Sequence, residues 1–353
     1  RLLDYASCWS ARFRRSSARW LKGRTEVEAL LVSAPPFSAI PAAARVARAT
    51  KRPLVVDLRD LWTAEPLGFF PSRVHYAAIR RKERRALETA SHIIVTNDYA
   101  RVALQKHFRG LTTPISVITN SGGAQGSVGD GFRPPAPLRS DGEFRVLYTG
   151  TLYEDVVEHS RLGRFRPLAI DRGTRSLRPV LDAMSKTDLL DRLSQLGRTL
   201  VVEVIGSFPA SEVRAVTSLG LQRHVRFRDR IPRSEVIEAI QLADALLLLQ
   251  VSWVERARPM PYMPGKVYEY LETGRPIVGA LGPGPARDLL AQVDTAALCD
   301  PWDPQSVSDA LVRTASRAAP VLQEESFPQP NELGLLTDIM RTVTSSYLPA
   351  TAP

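Results

Sequence analysis

Pro259-Met-Pro-Tyr-Met-Pro-Gly-Lys-Val-Tyr-Glu-Tyr-Leu-Glu-Thr-Gly-Arg-Pro-Ile-Val-Gly279 is the most informative stretch of the 353-residue chain. It opens as a proline- and glycine-rich loop, takes a helical pattern over 266–272, breaks at Gly274 and runs into an apolar segment at 276–280. Just before it, Ala245-Leu-Leu-Leu-Leu249 reads as a strand buried on both faces. That order places a helix N-terminus at the carboxyl edge of a parallel sheet, where free backbone N–H groups and the helix dipole favour phosphate. Lys266 adds positive charge in the first turn. Glu269, one turn along the same side, is poorly placed for a phosphate, and the role open to it is accepting hydrogen bonds from ribose hydroxyls. An ordinary helix start with solvated Lys and Glu is the competing reading, because every helix carries the dipole.

Outward from this stretch, short β-branched runs alternate with helical stretches in both directions, which predicts an α/β fold with open, mostly parallel sheets. In the first half, strands are expected at 27–33, 53–57, 92–96 and 115–118, with helices at 38–50 and 73–89. Residues 120–137 hold five glycines and three prolines without apolar periodicity, the composition of a linker. The second series predicts strands at 144–149, 199–205, 225–228, 245–250 and 276–280, and helices at 175–196, 233–242 and 266–272. A final helix is expected over 331–346. The division that follows is an N-terminal domain at 1–120, a linker at 121–142, a second domain at 143–318 and a tail at 319–353. The polar, basic segment 154–172 has no place in this scheme.

Composition narrows the classes. With 44% hydrophobic and 24% charged residues the chain is globular. Cys8 and Cys299 form no metal or disulfide framework, so a reducing compartment fits. The longest apolar run falls far short of the roughly 20 residues of a membrane span. The chain opens on Arg1 without the apolar stretch of a secretory signal, and a segment upstream is expected to be missing. The net charge of +10 concentrates in two places. Residues 1–24 hold seven basic residues against Asp4, and 73–109 hold nine against Glu83, Glu88 and Asp98.

Six strings in order resemble GT-B glycosyltransferases, and glycosyltransferase family 4 in particular. Val55-Val-Asp-Leu-Arg-Asp-Leu-Trp62 is similar to the strand end of the bacterial polysaccharide branch. Ala90-Ser-His-Ile-Ile-Val-Thr-Asn97 and Val117-Ile-Thr-Asn120 resemble later strands of the first domain. Val146-Leu-Tyr-Thr-Gly-Thr-Leu152 resembles the glycine turn that opens the donor domain. Ala243-Asp-Ala-Leu-Leu-Leu-Leu249 and Pro264-Gly-Lys-Val-Tyr-Glu-Tyr-Leu-Glu-Thr-Gly-Arg-Pro-Ile277 resemble the strand before its donor loop and its donor-site segment.

The resemblance implies two Rossmann-like domains facing a cleft, the first incomplete at its N-terminus, with a nucleotide sugar held mainly by the second. It implies transfer of that sugar, from a UDP- or GDP-type donor, to a glycan or a polyprenyl- or other lipid-linked acceptor, with retention of configuration by analogy with the family. Glu269 is implied to bind the ribose, and Lys266 with the amides around Gly265 to lie near the diphosphate. Arg175 and the turn amides of Gly150 and Thr151 are implied to face the phosphates, and the backbone at Ile231 in Arg230-Ile-Pro232 to read the base. Such a site stabilises the departing nucleoside diphosphate with Arg, Lys and a helix start rather than with metal. The sequence contains no Asp-x-Asp of the kind a metal-dependent alternative uses, so neither a metal nor a cofactor is expected beyond the donor itself. One departure is Pro261, where fuller versions of the motif carry a glutamate.

On the acceptor side, Asp60 is the candidate for contact with substrate and Arg59 for orienting it, an Arg/Asp pair that merely locks a loop being the equal alternative. The basic cluster Arg80-Arg-Lys-Glu-Arg-Arg85 suggests a helix lying on anionic lipid, or simply a solvated face. A cytoplasmic protein, peripheral at the inner face of the membrane, is the expectation. Nucleic acid is disfavoured because no aromatics interleave with the basic residues. The competing functions are a nucleotide-sugar epimerase of the same fold, which needs carboxylates flanking the sugar, and a non-catalytic sugar-nucleotide-binding relic.

Overall fold

The computed structural model describes residues 7–64, 68–120, 142–160, 164–317 and 332–346. It divides into two compact units: residues 1–121, 159–168 and 328–353 form one, and 122–158 and 169–327 the other. The expected linker at 121–142 lies, apart from Gly142, outside the described residues.

The first unit begins with helix α1 (Ser7–Trp20), followed by β1 (Leu30–Ala34), α2 (Ala39–Thr50), β2 (Leu54–Leu58), α3 (Arg73–Leu87), β3 (His92–Val95), α4 (Asp98–His107) and β4 (Ile115–Val117). Its four strands are parallel in the order β1-β2-β3-β4. Side chains alternate across this sheet. Leu54, Val56 and Leu58 of β2 and Ile93 and Val95 of β3 meet the small alanines of α2 and the buried edge of α3. Val55 and Ile94 face the opposite way, onto Ile339 and Val343 of the late helix Glu332–Ser345. That helix, which the sequence sets apart as a tail, therefore supplies the second cover of the first sheet. α1 and α4 were not foreseen: α1 is mostly polar and basic, and α4 follows β3 after only two residues, capped by Asn97, whose side chain accepts from the Ala100 amide at 2.8 Å.

The second unit runs β5 (Glu143–Thr151), β6 (Val157–Glu158), β7 (Ile170–Asp171), α5 (Arg178–Lys186), α6 (Leu189–Gln195), β8 (Thr199–Ser207), α7 (Ala210–Ser218), β9 (Val225–Arg228), α8 (Arg233–Leu242), β10 (Ala245–Leu249), β11 (Ser252–Trp253), α9 (Lys266–Glu272), β12 (Ile277–Ala280), α10 (Pro285–Leu290), β13 (Ala296–Cys299) and α11 (Pro304–Ala315). The late helix Glu332–Ser345 is α12. Six parallel strands in the order β13-β12-β10-β5-β8-β9 make a doubly wound sheet. Val146, Tyr148, Leu247 and Leu249 face the core beneath α5 and α11, whereas Leu147, Leu246 and Leu248 face Val267 and Tyr270 of α9. The strand order reverses between β5 and β10, so the carboxyl ends of β5 and β10 flank the crevice where such sheets bind ligands.

One expectation needs correction, and one unassigned segment finds its place. The single helix expected at 175–196 is instead a short turn, Arg172–Arg175, then α5 and α6. Asp171 caps the turn by accepting from the Gly173 amide at 2.9 Å, and Pro179 suits only the first turn of a new helix. Thr187 then divides α5 from α6, its hydroxyl donating to the Ala183 carbonyl and accepting from the Leu189 amide. The unplaced segment 154–172 contributes β6 and β7, which pair antiparallel with each other and with β11 as a small separate sheet. Phe165 exchanges backbone hydrogen bonds with Phe70 at 2.6 and 2.7 Å.

Candidate functional site

The carboxyl end of β5 is built around two glycines. Gly150 (φ +122°) and Gly206 (φ +146°) are register partners on β5 and β8, and a Cβ on Gly206 would lie 2.0 Å from the Gly150 carbonyl oxygen. Side-chain-free backbone is thus what lets these strands approach at the rim. A Cβ on Gly150 would meet the Lys266 ammonium at 2.9 Å, so the same glycine clears a seat for the lysine.

Lys266, the first residue of α9, reaches back into that seat. Its Nζ donates to the Thr149 carbonyl at 2.5 Å and stands 4.2 Å from the centre of the Tyr148 ring. The stem is half-exposed, but the charged end is sunk. Burial first, and then the positive charge of Arg175, push its pKa down to about 7, with Glu269 pulling the other way. An ammonium that has, among the described residues, one carbonyl and one ring face as partners is under-compensated, which is the electrostatic condition for recruiting an anion.

Arg175 joins it from the turn before α5, not from a helix as expected. Its Nε donates to the Thr151 carbonyl at 3.2 Å and its guanidinium lies 4.7 Å from the Tyr153 ring centre. Burial opposes its charge, but the neighbouring phenols of Tyr148 and Tyr153 raise its pKa on balance, so it stays cationic. Tyr148 donates to the Thr151 carbonyl at 2.9 Å, and the buried Tyr270 hydroxyl contacts both the Thr149 amide (3.2 Å) and its Oγ1 (3.0 Å). The turn Thr149–Thr151 is thereby held on three sides before any ligand arrives.

Glu269 stands at the outer edge, accepting from Arg233 of α8 at 3.3 and 3.4 Å. Arg233 begins the helix that follows Arg230-Ile-Pro232, so Ile231, half-buried against the core beneath α9, and Glu269 belong to one rim. A Cβ on Gly265 would meet nothing within 4 Å, which leaves open space in front of the α9 start. The structure thus gathers Gly150, Thr151, Arg175, Lys266 and Glu269 on one crevice of the second unit. Arg233, Tyr148, Tyr270 and Gly206 were not foreseen. The tyrosines carry the strand and helix periodicity of core residues, and Arg233 has no local signal beyond opening a helix.

In the first unit, Asp57 ends β2, accepting from Ser33 Oγ at 2.8 Å and pairing with Arg59 at 3.3 Å. Arg59 also donates to the Thr119 carbonyl at 3.3 Å and to Asn120 Oδ1. The side-chain bonds of Arg59 therefore tie the ends of β2 and β4 together and go to Asp57, where orientation of Asp60 was expected. Asp60 is exposed, and crowding of its carboxyl by protein raises its pKa against the pull of Arg59. Asp57 and Arg59 line an open cavity of about 300 Å³ beside α12, together with Ile94, Ile118, Glu332 and Leu336.

The basic cluster on α3 is divided between inward and outward faces. Arg80 turns inward to His107, Glu83 is wholly buried and Arg84 pairs with Glu88 at 2.7 Å. What α3 shows to solvent is a stripe of Val74, Ala77, Ala78, Arg81, Lys82 and Arg85. Among the described residues no helix is long and apolar enough to cross a membrane, and no cluster of His, Cys, Asp or Glu is arranged to hold a metal ion.

Residues 180–317 match the profile of the family described as "Glycosyl transferases group 1". A comparison with curated proteins gives no match. Among solved structures, HepE of Anabaena in complex with UDP and glucose is similar at a TM-score of 0.57 and 18% identity, over 97% of this chain and 84% of that one. The lipopolysaccharide outer core galactosyltransferase WaaB, in its apo form, aligns at 0.55 and 15%, over 96% and 80%. Sucrose-phosphate synthase from Thermosynechococcus elongatus aligns at 0.56 and 11%, over 97% and 80%. At these identities the structures speak for the fold, which is that of the GT-B glycosyltransferases, and the profile match falls within the second unit.

Proposed function

We propose that the chain transfers a sugar from a nucleoside diphosphate sugar, of UDP or GDP type, to a glycan or lipid-linked acceptor. The observation that carries this reading is the Lys266 ammonium seated beside the Gly150 turn with Arg175, two cations with too few anions between them. A diphosphate supplies the missing charge, and the same cations then stabilise the phosphate as the glycosidic bond to it breaks. Glu269 and the turn at Ile231 stand where a ribose and base extend from that diphosphate. The UDP in the HepE complex supports a uridine donor. Metal independence and retention of configuration are part of the proposal, supported by the Arg/Lys pair and by the family resemblance respectively.

The stripe Arg81, Lys82 and Arg85 beside exposed Val74 supports a peripheral position on anionic lipid, at the cytoplasmic face where a lipid-linked acceptor is displayed. The test is mass spectrometry of products from UDP- and GDP-sugars, with and without a polyprenyl-linked sugar acceptor. Acceptor-dependent transfer supports the proposal. A donor epimerised without acceptor, read by NMR because epimers have equal mass, overturns it in favour of an epimerase.

A further inference from the structure

The loop after β2 is held from beneath by a buried polar chain that the donor chemistry does not use. Glu83 of α3 is 0% exposed. Its Oε2 lies 3.0 Å from the Thr63 amide and 2.5 Å from Thr63 Oγ1, and that hydroxyl is 2.9 Å from Nε2 of His107 at the end of α4. Arg80 donates from Nε to the same His107 nitrogen at 3.2 Å and from its other arm to the His107 carbonyl at 2.5 Å.

The hydrogen count and the unpartnered Glu83 Oε1 together favour a protonated carboxyl. An arginine Nε can only donate, so His107 Nε2 accepts, and the neutral ring carries its proton on Nδ1. Thr63 has one hydroxyl hydrogen for two neighbours. If it went to an ionised Glu83, the 2.9 Å contact between Oγ1 and Nε2 would hold no hydrogen, and Nε2 would keep Arg80 Nε–H alone. If it goes to His107, Oγ1 must accept, and the neighbour able to donate across 2.5 Å is a protonated Glu83. The second arrangement also suits Glu83 Oε1, which is buried without a hydrogen-bond partner among the described residues, a severe penalty for a carboxylate.

We infer that Glu83 is a positioning residue: held protonated, it donates to Thr63 and so fixes the loop carrying Arg59 and Asp60, and its ionisation loosens that loop. The inference rests on the reading of that loop as the acceptor side. The titratable and charged groups facing Glu83 are Arg80 and Tyr76 on its own helix and, through Thr63, His107 from α4. Burial raises Glu83 to about 7 against the Thr63 bonds and Arg80, while burial and Arg80 lower His107 to about 4. Near neutral pH, then, Glu83 is the member that titrates and His107 stays neutral.

The experiment is hydrogen exchange by mass spectrometry on the full chain, following the peptide over 59–64 at several pH values from about 6 to 8. Its protection factor is expected to fall roughly tenfold across that range in the wild type and to stay level in Glu83→Gln and in Thr63→Val, which keeps the amide but removes the relay. Infrared difference spectra are expected to show a protonated-carboxyl band below pH 7 that Glu83→Gln lacks. Where acceptor turnover is measurable, the acceptor KM rises with pH through 7 in the wild type, while UDP affinity is the same in both variants. An unchanged pH response in the variants, or no such band, overturns the clasp. Absence of transfer with an intact exchange response would instead overturn the proposed function.

Discussion

The Nζ of Lys266 lies 2.5 Å from the carbonyl oxygen of Thr149, so the first side chain of α9 closes the turn at the end of β5. Two segments more than a hundred residues apart in sequence thereby share one cationic pocket, with Arg175 as its second charge.

Gly150 makes that contact possible, and Gly150→Ala is expected to abolish it. The added Cβ falls 2.9 Å from Nζ at a φ of +122°. Backbone strain at that φ is expected to destabilise the chain by about 1–3 kcal/mol, and loss of the seat to weaken donor binding. A urea midpoint shift checks the first effect, and a UDP titration weakened beyond that of a remote destabilised variant checks the second.

Donor binding is expected to take up a proton. With its pKa lowered to about 7, Lys266 is largely neutral at mildly alkaline pH in the free protein. A diphosphate beside it favours the charged form and raises the pKa. Titrations of UDP in buffers of different ionisation enthalpy should therefore give different apparent heats above pH 7, converging toward acid pH, and Lys266→Met should remove the difference.

Glu269 and Arg233 are expected to separate stability from binding. Their ion pair is exposed, 45% and 65% respectively, so Glu269→Ala should change stability by no more than about 1 kcal/mol. If Glu269 accepts from the ribose, the same variant weakens nucleotide binding by roughly tenfold, the loss of a charged hydrogen bond. Calorimetric titration with UDP, alongside a thermal melt, reads both.

Glu212 gives a pH dependence in stability. It is buried, accepts from the Leu177 amide at 2.7 Å, and burial raises its pKa from 4.5 to about 7. A raised folded-state pKa means stability fully present below the unfolded value and lost as pH rises through the folded one. Denaturant midpoints of the wild type should fall between pH 4.5 and 7, and Glu212→Gln should flatten that slope.

Much of the second unit was legible because its signals are local. Ala245–Leu249 is apolar throughout and buried throughout, and Gly274 follows α9 in a left-handed conformation that suits glycine. Lys266 and Glu269 announced themselves by position on a short helix. What the chain did not disclose depends on long-range partners. Nothing near Arg233 points to Glu269, and nothing near Asp57 says that Arg59 will turn to it and to Thr119. Arg80 and Arg81 look alike in sequence, yet one anchors His107 and the other faces solvent, because a helix of mixed charge fixes its inward face only when the neighbouring elements are in place. Thr187 and Pro179 were readable as a break within 175–196, and the apolar periodicity running through them masked it.

The central claim is that Lys266 seats a nucleoside diphosphate, and isothermal titration of UDP into wild type and Lys266→Met tests it most directly. The predicted result is saturable binding to the wild type, weakened by about 2 kcal/mol or more in the variant, with no loss of thermal stability since a poorly solvated charge has been removed. UDP and GDP affinities that are identical in the two proteins, or no nucleotide binding by the wild type, would contradict it.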